Sequence, residues 1–324
     1  MRISAVLILL NLGLSITASV SRADPISFNI ISIDVPGSAS TNAIGIDNAG
    51  QIVGSYVSGG HTHGFIDTNG VFKTIDVPGS SSTQPTGINN VGQIVGFYNG
   101  SSVFLDNKGT FSTINIPAAN FSSRFGIPQQ VAINDAGQIV GTTSDARAFL
   151  YSNGKVTFIP PLFSLNPFNV ANSVNDAGAI AGAAAQITVG ATATVFLNGS
   201  YVFNSGGDED TAYGINNAGD IVFNSGNKGG GIGLPATFLV KNGVLNPLPP
   251  FPVFPHGPDF FAGFARGLND SDQIVGTYLG SAGDHGFLAT PVPEPASFLL
   301  LAAGLAGLGF LRRRVVRSAR FRRG

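Results

Sequence analysis

A ten-residue core returns six times along this chain, and sequence repeated at a fixed period folds into structure repeated at that period. The first copy is Gly45-Ile46-Asp47-Asn48-Ala49-Gly50-Gln51-Ile52-Val53-Gly54. It returns at Gly87–Gly96 and at Ala132–Gly141, with weaker copies beginning at Ser173, Gly214 and Gly267. The central aliphatic residues are 46, 88, 133, 174, 215 and 268, so the spacings are 42, 45, 41, 41 and 53. Within each copy a strand ends at the Ile-Asn or Ile-Asp pair. Asn, Asp and Gly then make a turn, because Asx side chains bond the backbone and glycine takes positive φ. Gln-Ile-Val-Gly opens the next strand.

A second hairpin follows in each unit. In the first it runs His63-Gly64-Phe65-Ile66-Asp67, turns at Asn69-Gly70 and returns as Val71 to Val77. Matching turns are predicted at Lys108-Gly109, Asn153-Gly154, Asn198-Gly199 and Asn242-Gly243. Four antiparallel strands in about 42 residues make one blade of a β-propeller. The ends of the array agree. The sixth copy stops at Gly286–Thr290 without a fourth strand, whereas a spare one, Ile30–Gly37, precedes the first copy and matches Thr74–Gly79. Pairing that spare strand into the last blade closes a ring and removes open sheet edges. An open β-solenoid has no use for it. The expectation is therefore an all-β, six-bladed propeller over residues 24–291.

The repeat, followed by a His-Gly-Phe or Ala-Phe-Leu element, resembles the HAF family of extracellular repeats over roughly 28–290. The fourth and fifth copies depart most, with Ala179 and Asp220 in place of Gln and Phe223 in place of the last Gly. The resemblance implies export and a propeller-like array, with no substrate attached.

Both ends lie outside the repeats. Met1-Arg2, the apolar stretch Ala5–Leu14 and Ser21-Arg22-Ala23 before Asp24 have the order of a secretory signal peptide, with cleavage expected between Ala23 and Asp24. At the other end Val292-Pro293-Glu294-Pro295 precedes an uncharged run, residues 296–311, and then Arg312-Arg313-Arg314. Sixteen helical residues reach about 24 Å. That is short of a hydrocarbon core of about 30 Å, but flanking arginines snorkel and the bilayer thins locally. Seven arginines in 312–324 hold that end in the cytoplasm and place everything before the span outside. The tail closely resembles the PEP-CTERM sorting signal of exported bacterial proteins. That resemblance implies an exosortase-type membrane enzyme as partner, acting at Val292–Pro295 after Sec export, and a membrane-anchored precursor that passes to the cell surface or medium. A plain single-span anchor is the alternative.

Charge narrows the body's partners. Residues 24–291 hold eight Lys/Arg against sixteen Asp and one Glu, a net of −9, which the basic tail masks in the whole-chain value of −1. An acidic surface does not suit nucleic acid. There is no cysteine, so an exported body of this kind depends on its core and not on disulfides.

Candidate chemistry is sparse. The Asn/Asp turns offer one or two oxygens each and no spaced ladder of carboxylates, so turn formation accounts for them without calcium. His61 and His63 stand at a hairpin start, His285 takes the place of His63 in the last copy, and His256 lies in a proline-rich loop. The first and last copies bring two histidines with no acidic partner near them, a poor metal site. Glu209 lies in an acidic cluster, Asp208-Glu209-Asp210, which reads as a loop or a weak cation site. No nucleophile elbow, phosphate loop or zincin spacing occurs, and no carboxylate pair stands out for glycoside hydrolysis. Catalytic, cofactor and metal residues are therefore all expected to be none. The insertion 247–262 carries six prolines with Phe251, Phe254, Phe260 and Phe261, aromatics that either cover a blade flank or meet a partner. The glycine run 229–231 reads as a blade loop. The functional expectation is a non-catalytic binding or structural protein of an extracellular polysaccharide or biofilm matrix. The rivals are a secreted carbohydrate hydrolase or lyase with its site in the funnel, and a self-assembling coat or spacer.

Overall fold

The computed structural model describes residues 26–116, 130–143, 145–162, 167–186, 190–205, 210–225, 236–248, 263–280 and 283–292. Every regular element among them is a strand, and the strands form six four-stranded antiparallel sheets. The chain divides into a unit of residues 1–291, which holds the sheets, and a unit of residues 292–324.

Each sheet is a blade whose strands run outward from the axis in chain order. Blade 1 is Ser40–Ile46, Ile52–Ser58, His61–Thr68 and Val71–Ile75. Blade 2 is Thr83–Ile88, Gln93–Tyr98, Ser102–Asn107 and Thr110–Ile114. Blade 3 is Ala132–Ile133, Ile139–Thr142, Ala148–Ser152 and Lys155–Phe158, and blade 4 is Pro167–Val174, Ile180–Gln186, Gly190–Leu197 and Ser200–Asn204. Blade 5 is Thr211–Ile215, Ile221–Ser225, Ala236–Lys241 and Val244–Pro247. Blade 6 is Gly263–Leu268, Ile274–Gly280 and Gly283–Pro291, completed by Phe28–Ile33 from the other end of the body. That closing strand pairs Phe28 with Pro291 through to Ile33 with Gly286, as the spare-strand argument requires.

The outer hairpins turn where predicted. Asn69-Gly70, Lys108-Gly109, Asn153-Gly154, Asn198-Gly199 and Asn242-Gly243 all have positive φ at both residues, the type I′ geometry that matches strand twist. The inner hairpin carries its positive φ on Gly50, Gly92, Gly137, Gly178 and Gly219. In blade 6 Asp272 takes that conformation instead, at φ 57°, and its carboxylate pairs with Lys241 and accepts from Asn216 of blade 5.

Packing follows the repeat. Phe65, Phe104, Phe149 and Phe287 on the third strands are fully buried; each such ring contributes about 1.5–3 kcal/mol. They join apolar clusters that lie between neighbouring blades, such as Val53, Ile75, Ile88, Ile94 and Phe104 between blades 1 and 2. The cluster of Ile33, Ala43, Ile46, Ile52, Phe65 and Val275 seals the junction of blades 6 and 1. The last glycine of the repeat core lets the first two strands approach. A Cβ on Gly182 would lie 1.8 Å from the carbonyl oxygen of Val170, and one on Gly96 would lie 2.1 Å from that of Gln84. In blade 5 Phe223 holds this position, stacked on Phe238 with ring centroids 5.3 Å apart.

Candidate functional site

The inner turns of the six blades meet at one mouth of the central channel, where they bond to one another. The second turn residue of each blade uses its backbone N–H to donate to the side-chain oxygen of the same residue in the next blade. Asn48 donates to Asn90, Asn90 to Asp135, Asp135 to Asp176, Asp176 to Asn217, Asn217 to Asp270 and Asp270 to Asn48, all at 2.7–2.9 Å. The ring is closed. Amides also pair with carboxylates side by side: Asn48 and Asn217 each donate to Asp270, and Asn90 donates to Asp135.

A second circle lies beneath the rim. The first turn residue accepts the backbone N–H four residues on, as Asn134 does from Gln138. Its amide N–H₂ donates to the main-chain oxygen of the equivalent residue in the next blade: Asn89 to Asn134, Asn134 to Asn175, Asn175 to Asn216, Asn216 to Asn269 and Asn269 to Asp47. The link from Asp47 to Asn89 is missing because an ionised carboxylate has no proton to give. Asp47 is 5% exposed. Burial raises its carboxyl above the ordinary aspartate value and the charge of Asp135 adds to the rise, against the N–H groups of Gln51, Ala49 and Gly50. These residues form turns, as the sequence indicates, and they also weld the blades together.

The channel wall is different. In five innermost strands the register shifts at one residue, between Ala43 and Gly45, Pro85 and Gly87, Ala171 and Ser173, Ala212 and Gly214, and Ala265 and Gly267. A β-bulge re-aims the extra side chain. The bulged residues are Ile44, Thr86, Asn172, Tyr213 and Arg266, and with Gln130 of the third repeat all of them line a cavity of about 90 Å³. Gln130 reaches across: its Nε2 donates to the carbonyls of Asn172 at 2.6 Å and Tyr213 at 3.1 Å. The Arg266 guanidinium lies over the Tyr213 ring, 5.1 Å from its centre. It keeps some contact with water in the channel, yet protein surrounds it, and burial pulls it below the usual guanidinium value despite the opposing influence of Tyr213 and Asp284. Burial likewise raises the Tyr213 hydroxyl, with Arg266 acting the other way.

The far ends of blades 1 and 6 carry a matched pair of polar clusters. His63 Nδ1 is 2.8 Å from Asp76 and stacks on Tyr56; His285 Nδ1 is 2.9 Å from Asp34 and stacks on Tyr278. Each histidine thus has an acidic partner, contrary to the expectation from sequence. Asp76 and Asp34 stand just after the outermost strands, 13 and 251 positions from the histidines they bond. No ring contact joins His63 to His285 among the described residues, and no group of three metal-binding side chains forms there. Beside Tyr56 a groove of about 410 Å³ is lined by Val35, Pro36, Phe72, Lys73 and Thr74 among others.

Several candidates from the sequence fall outside the described residues: Ala23 and Asp24 of the signal cleavage, Pro293, Glu294 and Pro295, residues 296–311, Arg312–Arg314, His256, Glu209, the glycine run and the four phenylalanines of the 247–262 insertion. Val292 is described and is exposed. The channel residues Arg266, Gln130 and Tyr213 are what sequence reasoning missed. The available signal was their position: each stands beside the repeat core, where the six copies disagree.

Comparison with known proteins adds one family-level result. No curated protein matches the chain. Among solved structures it is similar to YCF48 bound to D1 peptide, at 10% identity and TM-score 0.43, over 83% of this chain and 100% of that one. It is also similar to U3-55K, at 12% identity and TM-score 0.47, over 82% and 98%. Residues 291–314 match the PEP-CTERM protein-sorting motif, which implies an exported protein processed at the membrane by an exosortase-type system.

Proposed function

We propose that this protein is a non-catalytic binding or structural component of an extracellular polysaccharide or biofilm matrix, exported through Sec and freed from its C-terminal span by an exosortase-type enzyme. The observation that carries this reading is the place of the sorting motif. It begins at residue 291, where the last strand of the propeller ends, so the whole propeller precedes the processing point. Two features of the body support binding over hydrolysis. The rim carboxylates Asp135, Asp176 and Asp270 are all held as hydrogen-bond acceptors. The groove beside Tyr56 and Phe72 joins apolar faces to hydroxyl and ammonium groups, the mixture that amphipathic sugar surfaces match.

The test is mass and C-terminal peptide analysis of protein from medium, matrix and membranes of its native cells. A matrix-associated form beginning at Asp24 and ending near Pro293–Pro295 is expected. A mature form that keeps Arg312–Gly324 in cells holding the processing enzyme refutes the sorting step. Equal recovery in polysaccharide-free cells refutes the matrix role.

One observation favours the coat or spacer reading. Ile31, Val71, Val202, Val244 and Leu245 are exposed, and all lie on outermost strands. Edge strands with bare apolar side chains invite pairing. Concentration-dependent sedimentation without added polysaccharide is the result that this reading requires.

A further inference from the structure

Two polar groups in the central channel, the half-buried Arg266 guanidinium and the buried Gln130 amide oxygen, lack a complementary protein partner, and both residues line the same cavity. Arg266 is a permanent cation, yet among the described residues no carboxylate oxygen stands within ion-pair distance of it. Its side chain donates none of the hydrogen bonds found there; the Tyr213 ring is its partner. The carboxylate that influences it, Asp284, acts through space only. Gln130 has the opposite deficit. Carbonyls only accept, so the bonds to Asn172 and Tyr213 assign its Nε2, and its Oε1 is buried with no donor. A donor without an acceptor and an acceptor without a donor line one cavity of about 90 Å³, several times the room that one water needs.

We propose that the channel binds a small hydroxy-carboxylate, its carboxylate on the Arg266 guanidinium and its hydroxyl donating to Gln130 Oε1. The planar guanidinium matches a carboxylate in two parallel hydrogen bonds. The tyrosine ring at its face holds the fork in place. Charge selects the class further. Asp135, Asp176 and Asp270 surround the described mouth, and they repel a dianion such as sulfate more than a monocarboxylate. The cavity admits an acid of a few carbons and no polymer. The site rests on channel geometry alone and stands whether or not the matrix role does.

The experiment is calorimetric titration and thermal melting of the full chain with sodium glycolate, acetate, sulfate or chloride at equal ionic strength. Glycolate is expected to bind saturably and raise the melting temperature. Acetate, which lacks the hydroxyl, is expected to bind about fivefold more weakly, the value of one hydrogen bond. Arg266→Met should abolish the response while melting no lower than the parent without ligand, since it removes an unpartnered charge. Arg266→Lys keeps the charge without the fork and should bind more weakly than the parent. Absence of a saturable response to glycolate overturns the proposal, as does an undiminished response in Arg266→Met. Tighter binding of sulfate than glycolate overturns the ligand class. A ligand-free Arg266→Met that melts well below the parent, or fails to fold while Arg266→Lys melts normally without responding to glycolate, makes Arg266 structural and also overturns it.

Discussion

The rim of the channel and its wall are built from neighbouring positions of the same repeat, and they behave in opposite ways. At the rim every blade supplies Asn or Asp at residues 48, 90, 135, 176, 217 and 270, because each must accept a hydrogen bond from the blade before it. At the channel wall the lining side chains are Ile44, Thr86, Gln130, Asn172, Tyr213 and Arg266, six different residues. At the rim one bonding pattern joins each blade to the next. On the wall Thr86, Gln130 and Asn172 join blades through bonds that the repeat does not share, and Ile44, Tyr213 and Arg266 make no side-chain hydrogen bond among the described residues. The two regions thus separate what every blade shares from what gives the ring an identity.

Substitutions break or sharpen that contrast. The largest effect is expected where the bulge meets its partner strand. Gly182→Ala forces a Cβ against the Val170 carbonyl and should destabilise by about 3 kcal/mol, the upper range for overpacking, as read by chemical denaturation. Asn134→Ala comes next. It strips the acceptor from Gln138 N–H and the donor from the Asn175 carbonyl, and a loss of about 2–3 kcal/mol follows from the groups left unsatisfied. An equal tolerance of alanine at Asn134 and at an exposed turn residue would show that the ring does not hold the blades.

Asp47→Asn should stabilise, by about 1 kcal/mol at neutral pH, because it supplies the missing donor to Asn89. The pH dependence gives the sign. Folded Asp47 holds its proton more tightly than the unfolded chain, whose value is near 3.8. The contribution of this group is therefore complete below that pH and is lost as pH rises through the raised folded value. The difference in melting temperature between variant and parent should grow with pH across that window and vanish below it. A pH-independent difference counts against the missing-donor account.

The smallest effect is expected at the rim charge itself. Asp176→Asn keeps the oxygen that Asp135 N–H donates to and gives up only the second oxygen's bond from Asn217. Its stability should stay within about 0.5 kcal/mol of the parent, as for other exposed substitutions. A larger change would mean that the carboxylate charge, and not the acceptor, is what the rim needs.

Legibility followed the range of each interaction. Asn69-Gly70 and its equivalents announce their turns because the type I′ geometry is decided by two adjacent residues. The closing strand was legible because Ile75-Asp76-Val77-Pro78-Gly79 is echoed by Ile33-Asp34-Val35-Pro36-Gly37. The histidine partners were not. His285 meets Asp34 only through the ring closure, although the shared Asp-Val-Pro-Gly segment after each outer strand was a usable sign. Asn134 reads as a turn former on local grounds, and nothing local says that its amide reaches Asn175, 41 residues on. The channel residues were hardest, since departures from a repeat look like noise until the bulge turns them to one axis.

Six blades, their hairpins and the order of closure were determined by the sequence alone, because period, turn chemistry and a spare strand are properties of short segments. The sorting motif at 291–314 is of the same kind. The closed rim, the broken link at Asp47 and the convergence of Arg266, Tyr213 and Gln130 were decided only by the tertiary structure. Each depends on side chains from different blades meeting around an axis, and that axis exists only once the ring has closed.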